Sequence, residues 1–392
     1  MAPSVHIGIV RAAVKLLRYD WHKAAKRFSD EDVEIMVSEV TAPDTHGDRL
    51  NGRGMHYYCA STPTGQKLPY HPVLGGYCNG NGMPAPSPLT MMDGEYRAAI
   101  ALYRCGHHEA AMKSLARALH MIADICCPPH SSGLTYFSKY AAYHKRYETI
   151  AQYLFWDRDD QITASNLWAE RTFQSYKNKI PYDAYKDILH GTRPHRDGYW
   201  ERGALTAVCN CLAVSGTEEL PYVLSKNEFD MDMLDSIARR IELSIANTAA
   251  LLAAFDRDAE DMNYRFWEEN RPYWLKCSGK DYAVSKEPLY LHYEEDGSFT
   301  LSTKNGAFLA VSKAGGVRLT RQTDGMYRKF RFGREPLTTI YVNGDPSLLL
   351  MVAGGKLLCT HRKLHVQSGA FTREVSFTLL TREPKDVRFL LS

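Results

Sequence analysis

Residues 120–130 read HMIADICCPPH. His120 and Asp124 are four positions apart, so a helix carries both on one face. Pro128 and Pro129 then end that helix and turn the chain, which lets His130 approach from a loop. Fourteen residues beyond His130 the sequence HKRYE repeats the spacing with His144 and Glu148. One His-x3-acid pair is commonplace on a solvated helix face or around a core histidine. Two such pairs, bracketing a third His behind a Pro pair, point to a set of metal ligands. Zinc takes His nitrogen and carboxylate oxygen, usually from four ligands held rigidly.

The chain on either side of this stretch is helical in pattern. Residues 5–18, VHIGIVRAAVKLLR, have an apolar face. A further helix is expected over 22–40, with Ser29-Asp30-Glu31-Asp32 as its cap. Residues 41–91 hold most of the Gly and Pro clusters, LGGYCNGNGMPAPSP among them, and read as a long ordered loop region. Loops of that length inside compact domains are usually functional. Helical pattern resumes at Asp93 and runs to about Cys127, with a break near Cys105-Gly106. It continues from about Ser138 through YETIAQYLF, and later in the long run MLDSIARRIELSIANTAALLAAFD.

From about residue 280 the character changes. SFTLST, AFLAVS, GVRLTR, YRKFRF, TTIYVN, SLLLMVA, KLLCTH, KLHVQS, EVSFTLL and VRFLLS are short β-type runs between Gly, Asp and Asn turn signals. The expected fold class is therefore multidomain, α then β: an all-α domain over 1–268 and an all-β domain over 280–392. The hairpin rhythm of DGSFTLSTKNGAFLAVSKAGGVRLT favours a β-trefoil over an eight-stranded sandwich.

Composition narrows the function. Of 392 residues, 44% are hydrophobic and 24% charged, which is ordinary for a globular chain with a large core. The 48 basic and 45 acidic residues nearly cancel, so no polyanionic partner is indicated. No run approaches the ~20 apolar residues of a membrane span. The apolar stretch at the N-terminus is broken by Arg11 and Lys15, so no signal peptide is evident in the sequence as given. Nine cysteines without a CxxC pair exclude a thiolate zinc motif and predict mostly buried thiols.

His6 lies near the start of the first helix, and the loop segment APDTHGDRLNGRGMH places Asp44 and His56 twelve apart. With SLARALHMIADICCPPH and HKRYE, these features resemble the zinc-dependent bacterial phospholipase C family, which includes clostridial alpha-toxin and is related in fold to fungal single-strand nucleases. The resemblance covers roughly residues 1–260. It rests on the spacing H-x3-D-x5-H followed by H-x3-E, on Asp44 and His56, and on a first helix with its His.

This resemblance implies two to three zinc ions. One would be held by Asp44, His56, His120 and Asp124, a second by His130, His144 and Glu148, and a third by His6, Asp124 and the terminal amine and carbonyl of Met1. It also implies attack of water on a phosphodiester, with Asp44 as general base as well as ligand, and a phospholipid substrate met transiently at a membrane surface. Family members are usually secreted and begin with Trp where this sequence has Met1. Phosphatidylcholine-cleaving relatives are expected to carry aromatics where Thr45 and Arg53 stand here; Arg53 offers a phosphate contact instead. His46, His71, His107 and His108 read as solvated or structural.

Two other readings compete. A three-zinc nuclease or nucleotidase would use the same geometry, but the near-neutral charge gives no basic groove and no nucleic acid is expected as partner. A catalytically degenerate zinc scaffold would carry a partner-binding β module. The β domain shows no acidic calcium-loop pattern, and its DGS and NGD turns are ordinary hairpin turns.

Overall fold

The computed structural model describes residues 1–45, 56–62, 64–68, 70–71, 76–77, 88–134, 139–155, 161–185, 204–225, 231–262, 264, 266–277, 280–332, 340–343, 345–361 and 377–391. The chain forms two compact units, Met1–Met92 with Leu115–Tyr264, and Asp93–Ser114 with Arg265–Ser392. The first is helical and the second is built mainly of strands.

Helix α1 spans Pro3–Tyr19. Pro at the first turn costs nothing, because its missing N–H would have no helical partner there. Val5, Ile9, Val10, Ala13, Leu16 and Leu17 form its buried stripe. Gly8 permits close approach: a Cβ there would lie 2.4 Å from the Phe155 ring. A short 3-10 turn, Lys23–Arg27, leads to α2, Asp30–Glu39. The single helix expected over 22–40 is thus divided. The physical reason is the capping box: the Ser29 hydroxyl accepts from the Asp32 N–H at 3.1 Å and the Asp32 carboxylate from the Ser29 N–H at 2.9 Å, so a new helix starts at Asp30.

The loop region contains a short helix α3, Ala42–Thr45, and a two-residue pair, β1 (Tyr70–His71) with β2 (Gly76–Tyr77). Helices α4, Pro88–Arg104, and α5, His108–Cys126, follow. They are separated where Gly106 takes φ +88°, a conformation glycine adopts without penalty. The one-turn α6, Pro128–Ser131, comes directly after α5, and then α7, Ala141–Leu154.

Helices α8, Gln161–Tyr176, and α9, Ala204–Ser225, stand where the sequence reading placed no element. In α9, Gly216 and Pro221 are helix breakers by type, which masks the signal. The last helix, α10, Met231–Glu260, is buried along most of its length and packs against α1, α7 and α8. Several of its buried polar groups find partners on neighbouring helices. The Arg240 guanidinium donates to the Ser215 hydroxyl at 2.7 Å, and Glu242 accepts from Arg171. No helix among the described residues is long and apolar enough to cross a membrane.

In the second unit the strands are β3 (Pro272–Cys277), β4 (Tyr282–Ser285), β5 (Leu289–Tyr293), β6 (Phe299–Ser302), β7 (Phe308–Val311) and β8 (Val317–Thr320). They continue as β9 (Phe330–Phe332), β10 (Ile340–Val342), β11 (Asp345–Ala353), β12 (Lys356–His361), β13 (Phe377–Leu380) and β14 (Arg388–Leu391). Pairing runs β12-β11-β10-β9-β6-β5-β3-β4-β14, with β13 on β3 and the β7–β8 hairpin on β6. Every pair is antiparallel except β14 with β4. Phe299 and Phe332 stack at 4.2 Å in its core. Within this unit the helical segment 93–114 meets the strands closely: a Cβ on Gly94 would lie 2.4 Å from the Phe332 carbonyl oxygen, and Glu95 accepts from Arg331. The expected strand KLHVQS lies outside the described residues.

Candidate metal centre

The two His-x3-acid pairs fall on helices as their spacing requires. His120 and Asp124 lie one turn apart in the last half of α5, and His144 and Glu148 one turn apart in α7. α6 begins at Pro128 and carries His130. His6 comes from the first turns of α1, Asp44 from α3, and His56 from the segment beyond it. Three groups of ligand atoms result, each within 4.8 Å of one another: His130, His144 and Glu148; His56, His120 and Asp124; and His6, Asp44 and His120. His6, His120, Asp124, His130 and His144 are buried. The Asp44 side chain is 29% exposed, the most open of the set.

Asp124 joins the groups. Its Oδ2 lies 2.6 Å from His56 Nδ1 and 3.2 Å from His120 Nε2. Its Oδ1 lies 2.7 Å from the Met1 amine and 3.5 Å from His6 Nε2. Asp44 Oδ1 is 3.8 Å from both His56 Nδ1 and His120 Nε2. The Met1 amine also stands 3.2 Å from Glu148 and 3.5 Å from His130 Nε2, and the Met1 carbonyl 3.0 Å from His6 Nε2.

The imidazoles are oriented from behind. His120 Nδ1 donates to the Val40 carbonyl at 2.8 Å, His130 Nδ1 to the His56 carbonyl at 2.7 Å, and His144 Nδ1 to the Leu134 carbonyl at 2.5 Å. In a neutral ring this leaves Nε2 as a bare lone pair. His130 and His144 then aim two such lone pairs at each other across 3.1 Å, with the Glu148 carboxylate 3.3 and 3.1 Å away. Lone pairs and a carboxylate converging in a buried space repel unless a cation lies among them, and the Met1 ammonium, 3.2 Å from Glu148 and 3.5 Å from His130 Nε2, is one positive charge already at that place. Backbone carbonyls that hold the remote nitrogen are the usual outer support of metal-binding imidazoles. The donor set and its support therefore fit a metal ion.

The charges agree. Burial raises the Asp124 carboxyl's pKa, but His130, the terminal ammonium and His120 outweigh it and hold the group well below the usual carboxylate range. Burial likewise works against ionised Glu148, and the ammonium, His130 and His144 reverse it. Burial, with His120 and the ammonium, pushes His6 well below its ordinary value, and burial also lowers His130. Burial thus biases His6 and His130 toward the neutral form, which donates a lone pair to a metal, whereas at His56 burial is outweighed by the hydrogen bond and charge of Asp124, which raise the pKa.

All eight side chains named as ligands from the sequence lie in these groups. Arg53 and His46 lie outside the described residues. Of the other histidines, His107 pairs with Glu269 at 2.9 Å and His108 packs on Tyr103. Tyr57 was missed. Its ring stacks on His130 at 4.9 Å and its hydroxyl lies 3.5 Å from His144 Nδ1. The only sequence signal was its place directly after His56. The eight described cysteines other than Cys78 are free thiols, and burial pushes the Cys59 thiol up to about 12.

No family model and no curated protein matches this sequence. Among solved structures it is similar to the alpha-toxin from Clostridium absonum, at 13% identity and TM-score 0.45, over 91% of this chain and 97% of that one. It is also similar to the alpha-toxin of an avian strain of Clostridium perfringens, at 14% identity and TM-score 0.43, over 89% and 95%.

Proposed function

We propose that this chain is a zinc-dependent phosphodiester hydrolase, a phospholipase C that cleaves a glycerophospholipid to diacylglycerol and a phosphorylated head group. One observation carries the reading: two bare imidazole nitrogens and a carboxylate converge at His130, His144 and Glu148, beside a second set joined through the two oxygens of Asp124. Glu148 in His144-x3-Glu148 and the fourteen-residue gap from His130 support the phospholipase over the nuclease, where Asp and a longer gap are expected, and the near-neutral charge gives no basic track for nucleic acid.

Asp44, His56, His120 and Asp124 would hold one zinc, and His130, His144 and Glu148 another. His6, Asp124 and the Met1 amine and carbonyl would hold a third. Bound zinc supplies a nucleophile from water at neutral pH and charge to stabilise phosphoryl oxygens. The chain's own part follows from placement. Asp44 is the most solvent-open carboxylate of the set and takes the proton of the attacking water. The backbone-anchored rings of His120, His130 and His144 fix ligand direction without reorganisation. Arg53 would meet the substrate phosphate.

Residues 1–268 would be the hydrolase and 280–392 an accessory all-β domain, a β-trefoil rather than a sandwich. The substrate would be a phospholipid met transiently at a membrane. Metal analysis of the purified chain, with assays on phosphatidylcholine, sphingomyelin and single-stranded DNA, tests this. Two or more zinc ions with diacylglycerol release are expected. Cleavage of DNA alone would assign a nuclease, and one ion or none without hydrolysis a scaffold.

A further inference from the structure

We propose that the turn after α1 is a membrane-docking element, in which the Trp21 indole enters the interface of an anionic phospholipid surface with Lys23 and Lys26 beside it. The turn is a defined helix cap. The His22 N–H donates to the Leu17 carbonyl at 3.0 Å and the Trp21 N–H to the Arg18 carbonyl at 3.3 Å, the pair of bonds of a Schellman motif. That motif puts Trp21 in the left-handed position, φ 52°, where glycine is usual. The other described non-glycine residues with positive φ are Asn178, Asn270 and Asp386, types that tolerate it. Trp is not such a type, so its presence destabilises the cap.

No contact among the described residues repays this. Trp21 is 93% exposed, the most exposed of the large apolar side chains described. A side chain that is both strained and solvated answers to something outside the fold. Tyr19, 38% exposed, lies two residues before it and has the Lys15 ammonium 5.8 Å above its ring.

The chemistry of the turn favours lipid over protein. Indole carries an apolar body and one N–H donor, and it concentrates at the head-group level of membranes. A stable protein interface needs a broad patch of ~800 Å² a side, whereas here one indole projects with a tyrosine edge. The nearby arginines are already engaged, Arg18 with Asp30 at 2.8 Å and Arg27 with Asp256 at 2.8 Å and with Glu260. Lys23 and Lys26 are exposed and answer anionic head groups. The inference does not require the hydrolase reading, since vesicle binding needs no catalysis.

The test uses the full chain, vesicles of phosphatidylcholine with or without phosphatidylglycerol, and cosedimentation, with fluorescence quenching by brominated acyl chains. The parent chain should bind the anionic vesicles. Trp21→Gly, which suits the backbone, should weaken binding about tenfold or more while melting no lower than the parent. Trp21→Asn, a second residue tolerant of that conformation, should do the same. Lys23→Glu with Lys26→Glu should weaken it by at least about fivefold per lysine. Failure of the parent to bind anionic vesicles, or retained binding in both Trp21 variants, would overturn the proposal. So would self-association in sedimentation velocity that Trp21→Gly abolishes without any vesicle binding, which would assign the turn to a protein partner.

Discussion

His120, His130 and His144 share one device: the nitrogen that faces away from the cluster is tied to a backbone carbonyl. Tyr57 adds a second support by lying flat on His130, 12° from parallel. Removing such an outer partner typically costs about 10–100-fold in metal affinity. Tyr57→Ala should therefore weaken zinc binding by about tenfold in a competition titration with a chromogenic chelator. Tyr57→Phe, which keeps the stack, should stay within about threefold of the parent. Equal losses in both variants would show that the hydroxyl near His144, and not the stack, is the support. The helical candidate ligands are legible in the sequence because their partner lies one turn away, and helix geometry settles the face. Tyr57 is not, because its role depends on packing against a residue seventy-three positions later, which no local period encodes.

At the scale of elements, caps and turns decide boundaries that periodicity leaves open. Ser29 and Asp32 cut one expected helix in two, and Gly106 separates α4 from α5 as the sequence indicates. The β hairpins are equally legible from their turn residues. The turn between β5 and β6 is an example: Asp296 accepts from the Ser298 N–H at 2.9 Å and from the Asn343 amide at 2.9 Å. Burial raises the Asp296 pKa, but hydrogen bonds from Ser298 and the charges of Arg331 and Lys329 outweigh it and hold it below the usual value. A carboxyl depressed in the folded state contributes stability that is complete above its unfolded pKa and is lost as pH falls through its folded one. Asp296→Asn should thus lower the urea midpoint at pH 7, and the gap to the parent should shrink below about pH 4. A gap independent of pH would mean that the amide's changed hydrogen bonding, not the charge, is responsible. What the sequence does not convey is α9, whose Gly216 and Pro221 argue locally against the helix that tertiary packing imposes.

For the whole molecule, every candidate ligand belongs to the helical unit. An ion that binds only the folded state stabilises the unit that holds it, by about 4 kcal/mol at a free concentration a thousandfold above Kd. Calorimetry with and without a strong chelator should show two transitions, of which chelation lowers one and leaves the other in place. Movement of both together would mean that the two units unfold as one. The division into α and β regions is legible from the change in hydrophobic period near residue 280. The assignment of segment 93–114 to the strand-rich unit is not, since it depends on close contacts such as Gly94 on Phe332 that have no sequence signature. The three carboxylates Asp44, Asp124 and Glu148 have a further consequence. They bring three negative charges, while a pair of divalent ions brings four positive ones. Loading of two such ions would therefore leave the pocket with surplus positive charge, which a neutral ligand could not balance. A candidate centre loaded in this way would be completed by an anion, and a phosphate ester is one kind of molecule that would bring the missing charge.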